Sequence, residues 1–404
     1  MPYTVTTHRS WFSRIGSSFG GVVIGLALLA AATYLLYWNE GRAVRTGGAI
    51  SEAQLVCVEM KDPGKTDAGL EGKVVHAAGR ADTQNFLTDD QFGVRTAGPA
   101  VAMSRTCEYY QWEETSKTET RNKIGGGQEE VTTYYYNKKW VGSPIDSGSF
   151  QDASYRGKNS VLLKADDRKW LAKDVTLGAY ALPDFLKEEV GGAEPMTPVL
   201  SADQLKQLDA RLREGRPQAA KAGGLVHVSG GAIYLGLYLG LYPDEPRIGD
   251  VRVNYKMVPP AQISLIAKVT GSTFEEFRSS KGAMFSRLAM GQQSAENMFG
   301  AAHDDNNTLT WMLRAVGFIL AFVGLKMLFA PLSVIAGVIP LLGSLIGAGG
   351  AFVALLLALA WSLIVIAFSW LRFRPLLAGG LIAAALLFLA FLIFRGRKRG
   401  SCVR

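Results

Sequence analysis

Acidic residues are missing from the last quarter of the chain. Residues 310–394 hold no Asp or Glu, and their only charges are Arg314, Lys326, Arg372 and Arg374. Long apolar runs fill the space between those cations. A soluble core cannot hide that much continuous apolar chain, so the absence excludes a wholly soluble protein. Histidine is scarce too, with four in 404 residues. No HExxH or phosphate-loop pattern occurs, which removes the common signatures of zinc hydrolases and nucleotide-binding enzymes. The three cysteines, Cys57, Cys107 and Cys402, match no zinc or redox spacing. Cys57 and Cys107 share one soluble segment and either pair in an oxidising compartment or stand as two separate buried thiols.

The net charge of +8 suggests a nucleic-acid binder until its distribution is read. All 35 acidic residues lie between Glu40 and Asp305, and the cations outside that range flank apolar segments. The basic balance therefore reports membrane orientation, and no nucleic-acid partner is expected.

Residues 1–19 are polar and carry Arg9 and Arg14 without an acid. Residues 20–38 form an apolar stretch long enough to cross a bilayer core of ~30 Å at 1.5 Å per residue. Tyr34, Tyr37 and Trp38 mark its far end as an interfacial aromatic belt. Residues 39–309 read as a soluble, β-rich domain. Within it, 114–140 reads as a hairpin solvated on both faces at its tip, turning at Gly125–Gly127. The segment 183–222 reads as a helical insert, with Ser201 as N-cap and Leu205, Leu208 and Leu212 on one face. A second helical region is expected at 272–299. The similarity of 72–79 to 223–230 suggests a duplicated β unit, 39–182 and 223–309.

Spans are expected at 310–330, 349–371 and 375–394, and 395–404 forms a basic tail. Between the first two of these, 331–348 is apolar but broken by Pro331, Pro340 and glycines, so it reads as interfacial or re-entrant. Four spans put both basic ends in the cytoplasm, whereas a fifth crossing at 331–348 would translocate Arg395, Arg397, Lys398, Arg399 and Arg404. The fold class is thus a membrane protein with four transmembrane α-helices. Its large α+β, β-rich extracytoplasmic domain is inserted between the first and second spans.

Several stretches resemble the LUMA family, also called the transmembrane protein 43 family. They include WNEGRAV (38–44), EGKVVHAAG (71–79), EYYQWEET (108–115), YYYNKKW (134–140), GDVRVNYKMV (249–258) and LRAVGFILAFVGLKMLFAPL (313–332). The resemblance covers nearly the whole chain. It implies a multi-pass membrane protein with its main domain in the lumen, or in the periplasm of a bacterium. Family members in eukaryotes reside in the endoplasmic reticulum and inner nuclear membrane, where they organise the envelope, self-associate and bind other envelope proteins. The Leu- and Ala-rich spans point to a bacterial member in an inner membrane. No family catalytic residue exists to carry over.

Candidate chemistry is sparse. His8 lies in the N-terminal tail, and His76 and His227 sit in separate expected strands. Asp89–Asp90 and Asp166–Asp167 are adjacent carboxylates that point apart, and His303–Asp304–Asp305 stands beside the membrane as a weak cation candidate. No catalytic, cofactor-binding or metal residue is assigned, no cofactor is expected, and the chain reads as a non-enzyme. Only Arg314 and Lys326 place charge inside a span, each near an end, which argues against a transport pathway. The glycines at 343, 347, 349 and 350 suit helix packing or oligomerisation. The expected role is a scaffold that organises the envelope, with the bilayer, further copies of itself and other membrane proteins as partners. A transporter or channel component, or a lipid or membrane-stress sensor, is the alternative.

Overall fold

The computed structural model describes residues 3–214, 224–230, 235–336 and 340–380. Its five described helices are α1 (Trp11–Val56), α2 (Asp184–Glu189), α3 (Ala202–Arg213), α4 (Ala295–Ala336) and α5 (Pro340–Phe373). Three of them are long and apolar enough to cross a membrane: α1, α4 and residues 346–373 of α5. The fourth span expected at 375–394 falls mostly outside the described residues, as does the tail at 395–404.

Helix α1 starts at Ser10, whose side chain accepts the Ser13 N–H at 3.2 Å. It then runs unbroken for 46 residues, ~69 Å at 1.5 Å per residue and about twice the bilayer core. The excess is used inside the domain. Ala49, Ile50 and Ala53 pack against Val74, Ile266, Phe285, Met298, Phe299 and Ala302, so the last turns of α1 and the first turns of α4 share one buried core. Where α1 crosses α4 within the membrane, a Cβ on Gly25 would lie 2.7 Å from the Gly324 carbonyl, and one on Gly324 would lie 2.7 Å from the Gly25 carbonyl. Backbone meets backbone there because neither residue has a side chain.

An eight-stranded sheet has the order β1 (Tyr3–Arg9), β7 (Gln128–Val141), β6 (Ala102–Asn122), β14 (Val251–Val258), β13 (Leu235–Leu239), β12 (Val226–Gly230). Strand β8 (Arg168–Leu171) joins it on β6 and β11 (Glu194–Met196) joins it on β14. A seven-stranded sheet contains β2 (Val58–Glu59), β3 (Val74–Asp82), β9 (Thr176–Leu177), β10 (Tyr180–Ala181), β15 (Ala261–Thr270), β16 (Thr273–Glu275) and β19 (Arg287–Met290). Two short pairs complete the set, β4 (Thr88–Asp89) with β5 (Val94–Arg95) and β17 (Phe277–Arg278) with β18 (Met284–Phe285). Alternation places Val251, Val253 and Tyr255 of β14 in one core with Leu237 and Leu239. Val75, Ala77, Leu265 and Ala267 fill the other core.

Several expectations need amendment. The region 272–299 is strands β16 to β19 up to Met290 and becomes helix only at Ala295, where α4 begins. Positive φ at Gly271, Gly282 and Gly291 breaks the chain into turns there, and Phe274 is buried from a strand. The segment 331–348 is not a separate element, because α4 continues through Pro331 to Ala336 and α5 begins at Pro340. The helical insert at 183–222 resolves into α2, β11 and α3, and its end from 215 lies outside the described residues. Helix α3 opens with the expected cap, since Ser201 accepts from Gln204 N–H and Gln204 returns a bond to the Ser201 N–H. Leu208 and Leu212 of α3 are buried in the sheet's core. The two similar segments, 72–79 and 223–230, do not hold equivalent places. One leads into β3, inside the seven-stranded sheet, and the other into β12, at the end of the eight-stranded sheet.

The hairpin of β6 and β7 forms as expected, in register from Tyr109↔Val141 to Asn122↔Gln128. Its tip is not simply solvated. Arg14 donates to the Gly126 carbonyl at 2.6 Å, and a Cβ on Gly126 would collide with the Trp11 ring. Strand β1, read as part of a separate N-terminal tail, pairs antiparallel with β7 over seven residues, Tyr3↔Tyr134 to Arg9↔Gln128. The domain thus reaches the opposite end of the helix on which its body is packed.

Candidate functional site

Charge is concentrated where α1 leaves the apolar belt. Glu40, two residues past Trp38, is fully buried. Its Oε1 accepts from Arg314 Nε of α4 at 2.7 Å, and its Oε2 accepts from Trp370 Nε1 of α5 at 2.9 Å. One carboxylate therefore ties three helices together at one height. The neighbours extend the lock. Asn39 Nδ2 donates to the Thr310 carbonyl at 2.9 Å, and Arg42 donates to Asn306 Oδ1 at 3.0 Å and to Thr310 Oγ1 at 2.9 Å. Asn306 Nδ2 returns a bond to the Ala43 carbonyl at 3.0 Å. Gly41 keeps the helices close, since a Cβ there would sit 2.7 Å from the Phe373 ring. The Arg314 guanidinium also lies 4.6 Å from the Trp311 ring centroid. A buried carboxylate held by a guanidinium and an indole N–H fixes geometry, because removing either partner strands the other in a medium that cannot solvate it.

A second polar contact joins the tethers to the domain. His76, buried on β3, places Nδ1 2.7 Å from Glu59 Oε2 and Nε2 2.9 Å from the Gln293 carbonyl. Glu59 follows the end of α1, and Gln293 precedes the start of α4. Both partners are acceptors, so the doubly protonated ring satisfies both and a neutral ring only one.

Deeper in the domain, Arg105 and Asp89 form a buried ion pair at 2.7 Å, and Tyr255 donates to the same Asp89 oxygen at 2.8 Å. Burial and the Asp89 charge push the Tyr255 phenol far up, so it stays a donor. Arg105 also donates to the Asp166 carbonyl at 3.1 and 2.7 Å, and the Cys107 N–H donates to Asp167 Oδ1 at 2.8 Å. One residue from each pair singled out from sequence therefore meets Arg105, Asp89 through its carboxylate and Asp166 through its main-chain carbonyl. There they brace a loop rather than face each other as an acid and a base. Burial pushes the Cys107 thiol up to about 11, and Cys57 likewise. Both are free thiols rather than a disulfide.

The other singled-out residues stand apart. His8 lies on β1, 3.9 Å from Glu129. His227 lies edge-on to Tyr238. His303 and Asp304 lie on α4, and Asp305 pairs with Arg287 at 2.9 Å. No group of three metal-ligating side chains occurs among the described residues. Lys326 lines a cavity of about 430 Å³ between α4 and α5, with Phe322, Met327, Ser333 and Gly350. Of the aromatic clusters, Tyr109 is core, while Trp112, Tyr136 and Tyr155 pack together at the hairpin's base, with Tyr136 stacked on Tyr155 at 4.1 Å. Sequence reading found Arg314 and missed Glu40. The available signal was an acid two residues after an interfacial tryptophan, with an uncompensated Arg314 in the span that must pack beside it.

A family model described as transmembrane protein 43 matches residues 109–375. Human transmembrane protein 43 is 28% identical over 403 residues, covering 97% of this chain and 94% of its own. The Drosophila melanogaster transmembrane protein 43 homolog is 25% identical over 379 residues, covering 90% and 91%. No solved structure matches the chain. The lock residues Arg314 and Trp370 and the Arg105 loop partner Asp166 lie within the matched stretch, and the chain belongs to the transmembrane protein 43 family.

Proposed function

We propose that this protein is a non-enzymatic membrane scaffold that organises its envelope through the large domain and through self-association. The observation that carries this reading is the double tether. Both ends of the domain leave through helices that share its core, and Glu40 locks those helices to each other and to α5. A domain held at both ends has a fixed height and orientation over the bilayer, which suits binding of neighbours more than diffusion to a substrate. The positive-inside rule places the domain outside the cytoplasm, with four spans and both termini cytoplasmic. The membrane is then a bacterial inner membrane with the domain in the periplasm, or the endoplasmic reticulum and inner nuclear membrane in a eukaryote.

Crosslinking with mass spectrometry in native membranes tests the scaffold. Recovery of reproducible protein neighbours on the domain surface is expected. Recovery of lipids alone replaces the scaffold with a lipid or membrane-stress sensor. A second reading, a transporter or channel component, is favoured by one observation: the tip of the polar hairpin rests on Trp11 and Arg14, at the other end of the apolar helix from the domain core. Selective currents from purified protein in planar bilayers would put that reading first.

A further inference from the structure

The ribbon of β1, β7 and β6 presents a conflict that one copy of the chain does not resolve. Its base is fixed on the domain, where Tyr110 exchanges bonds with Gly249 and Asp250, and its tip rests on Trp11 and Arg14. From Arg14 to Ile50, α1 rises ~54 Å at 1.5 Å per residue. From Tyr110 to Gly126, β6 and its turn extend ~53 Å at about 3.3 Å per residue. The two lengths match, so a straight ribbon from the domain to its contact with Trp11 and Arg14 carries Glu114–Asn122 and its partners past residues 20–38.

What lies there is polar. Lys117 pairs with Glu119 at 3.1 Å, Lys123 with Glu129 at 3.1 Å and Arg9 with Glu130 at 3.4 Å. Both edges are also open. Beyond Trp112, whose backbone is satisfied by Asn159, the outer edge of β6 has no partner strand among the described residues, and neither has the outer edge of β1. Open strand edges and charged side chains are not tolerated against acyl chains, because nothing there replaces water.

We propose that these edges are the interface for further copies of this chain. The outer edge of β1 pairs with the outer edge of β6 in the next copy, and the ribbons close round a polar, water-filled interior with the helices outside. Membrane orientation selects this pairing. Copies inserted the same way round are related by an axis along the bilayer normal, parallel to the strands. That axis makes β1 run parallel to its neighbour's β6, as it already does within one copy through β7. It does not bring β1 against β1 in the antiparallel pairing a two-fold across the strands would give. The contact is head-to-tail and closes as a ring, leaving no edge exposed.

The inference rests on the self-association proposed above, and the test separates the two. Thr6→Cys on β1 is combined in turn with Ser116→Cys, Thr118→Cys and Thr120→Cys on β6 and treated in native membranes with a short bismaleimide. The parent chain serves as background. At least one double variant is expected to give a ladder of dimer, trimer and higher species. Each single variant is expected to give none, and two singles co-expressed to stop at the dimer. A dimer from Thr6→Cys on its own, or no ladder from any pair, overturns the ribbon interface. Mass photometry of the parent in nanodiscs then sorts the failure: oligomers without a ladder leave self-association standing, whereas monomers remove both.

Discussion

Replacing Glu40 by Leu strands Arg314 and Trp370 at the membrane boundary, and the size of that effect follows from burial. Glu40 is fully buried and the Arg314 side chain is 14% exposed, so solvent screens the pair little. Breaking a buried pair from one side costs about 3–5 kcal/mol, whereas replacing both members by apolar groups is close to neutral. Glu40→Leu and Arg314→Met are each expected to destabilise the helix bundle by about 3 kcal/mol or more. The double variant is expected to lose no more than either single, a coupling of about 3 kcal/mol in a double-mutant cycle. Reversible unfolding in mixed micelles, followed by tryptophan fluorescence, reads this directly because Trp311 and Trp370 both touch the lock. Losses that add to within about 0.5 kcal/mol would refute the lock, since independent sites add in that way.

Three further outcomes are expected. His76→Leu removes the ring that bridges Glu59 and the Gln293 carbonyl, so amide exchange at 58–60 and near 293 should quicken relative to β15, while His76→Gln keeps part of the protection. Gly324→Val forces side-chain atoms into the Gly25 carbonyl and should disrupt the α1–α4 packing, seen as a lower thermal midpoint in detergent, whereas Gly300→Ala, with open space around it, should be nearly silent. Burial holds the Asp250 carboxyl above its ordinary value despite bonds from Tyr238 and the Arg247 N–H. The folded state then binds that proton more tightly than the unfolded chain, so this residue's contribution to stability grows as pH falls through its folded pKa towards the ordinary 3.8 and is lost as pH rises. Asp250→Asn should flatten that part of the pH–stability curve.

The spans and the hairpin were legible because they depend on patterns within short windows: apolar runs, β-prone arms about a glycine turn, and a cap followed by periodic leucines. The region 272–299 was misread because Phe274, Phe277, Phe285 and Leu288 carry apolar spacing that fits either element, and the deciding facts are positive φ values at three glycines. The lock was half-read. Arg314 stands out inside an apolar block, but its partner is 274 positions away. Only the packing of α1 on α4 brings them together. The pairing of β1 with β7 was invisible for another reason. Its seven residues are polar, and nothing in their composition names a partner on the far side of a span.

Helix α1 carries no proline and no break between its contact with the ribbon tip and its burial in the domain core. It is a push-rod some 70 Å long by its rise per residue, gripped at both ends and clamped near its middle by Glu40. A rod so held has no hinge in which to absorb a twist or thrust. A displacement of the domain where it packs on Ile50 is carried by one continuous helix to Trp11 and Arg14, some 54 Å away at ~1.5 Å per residue.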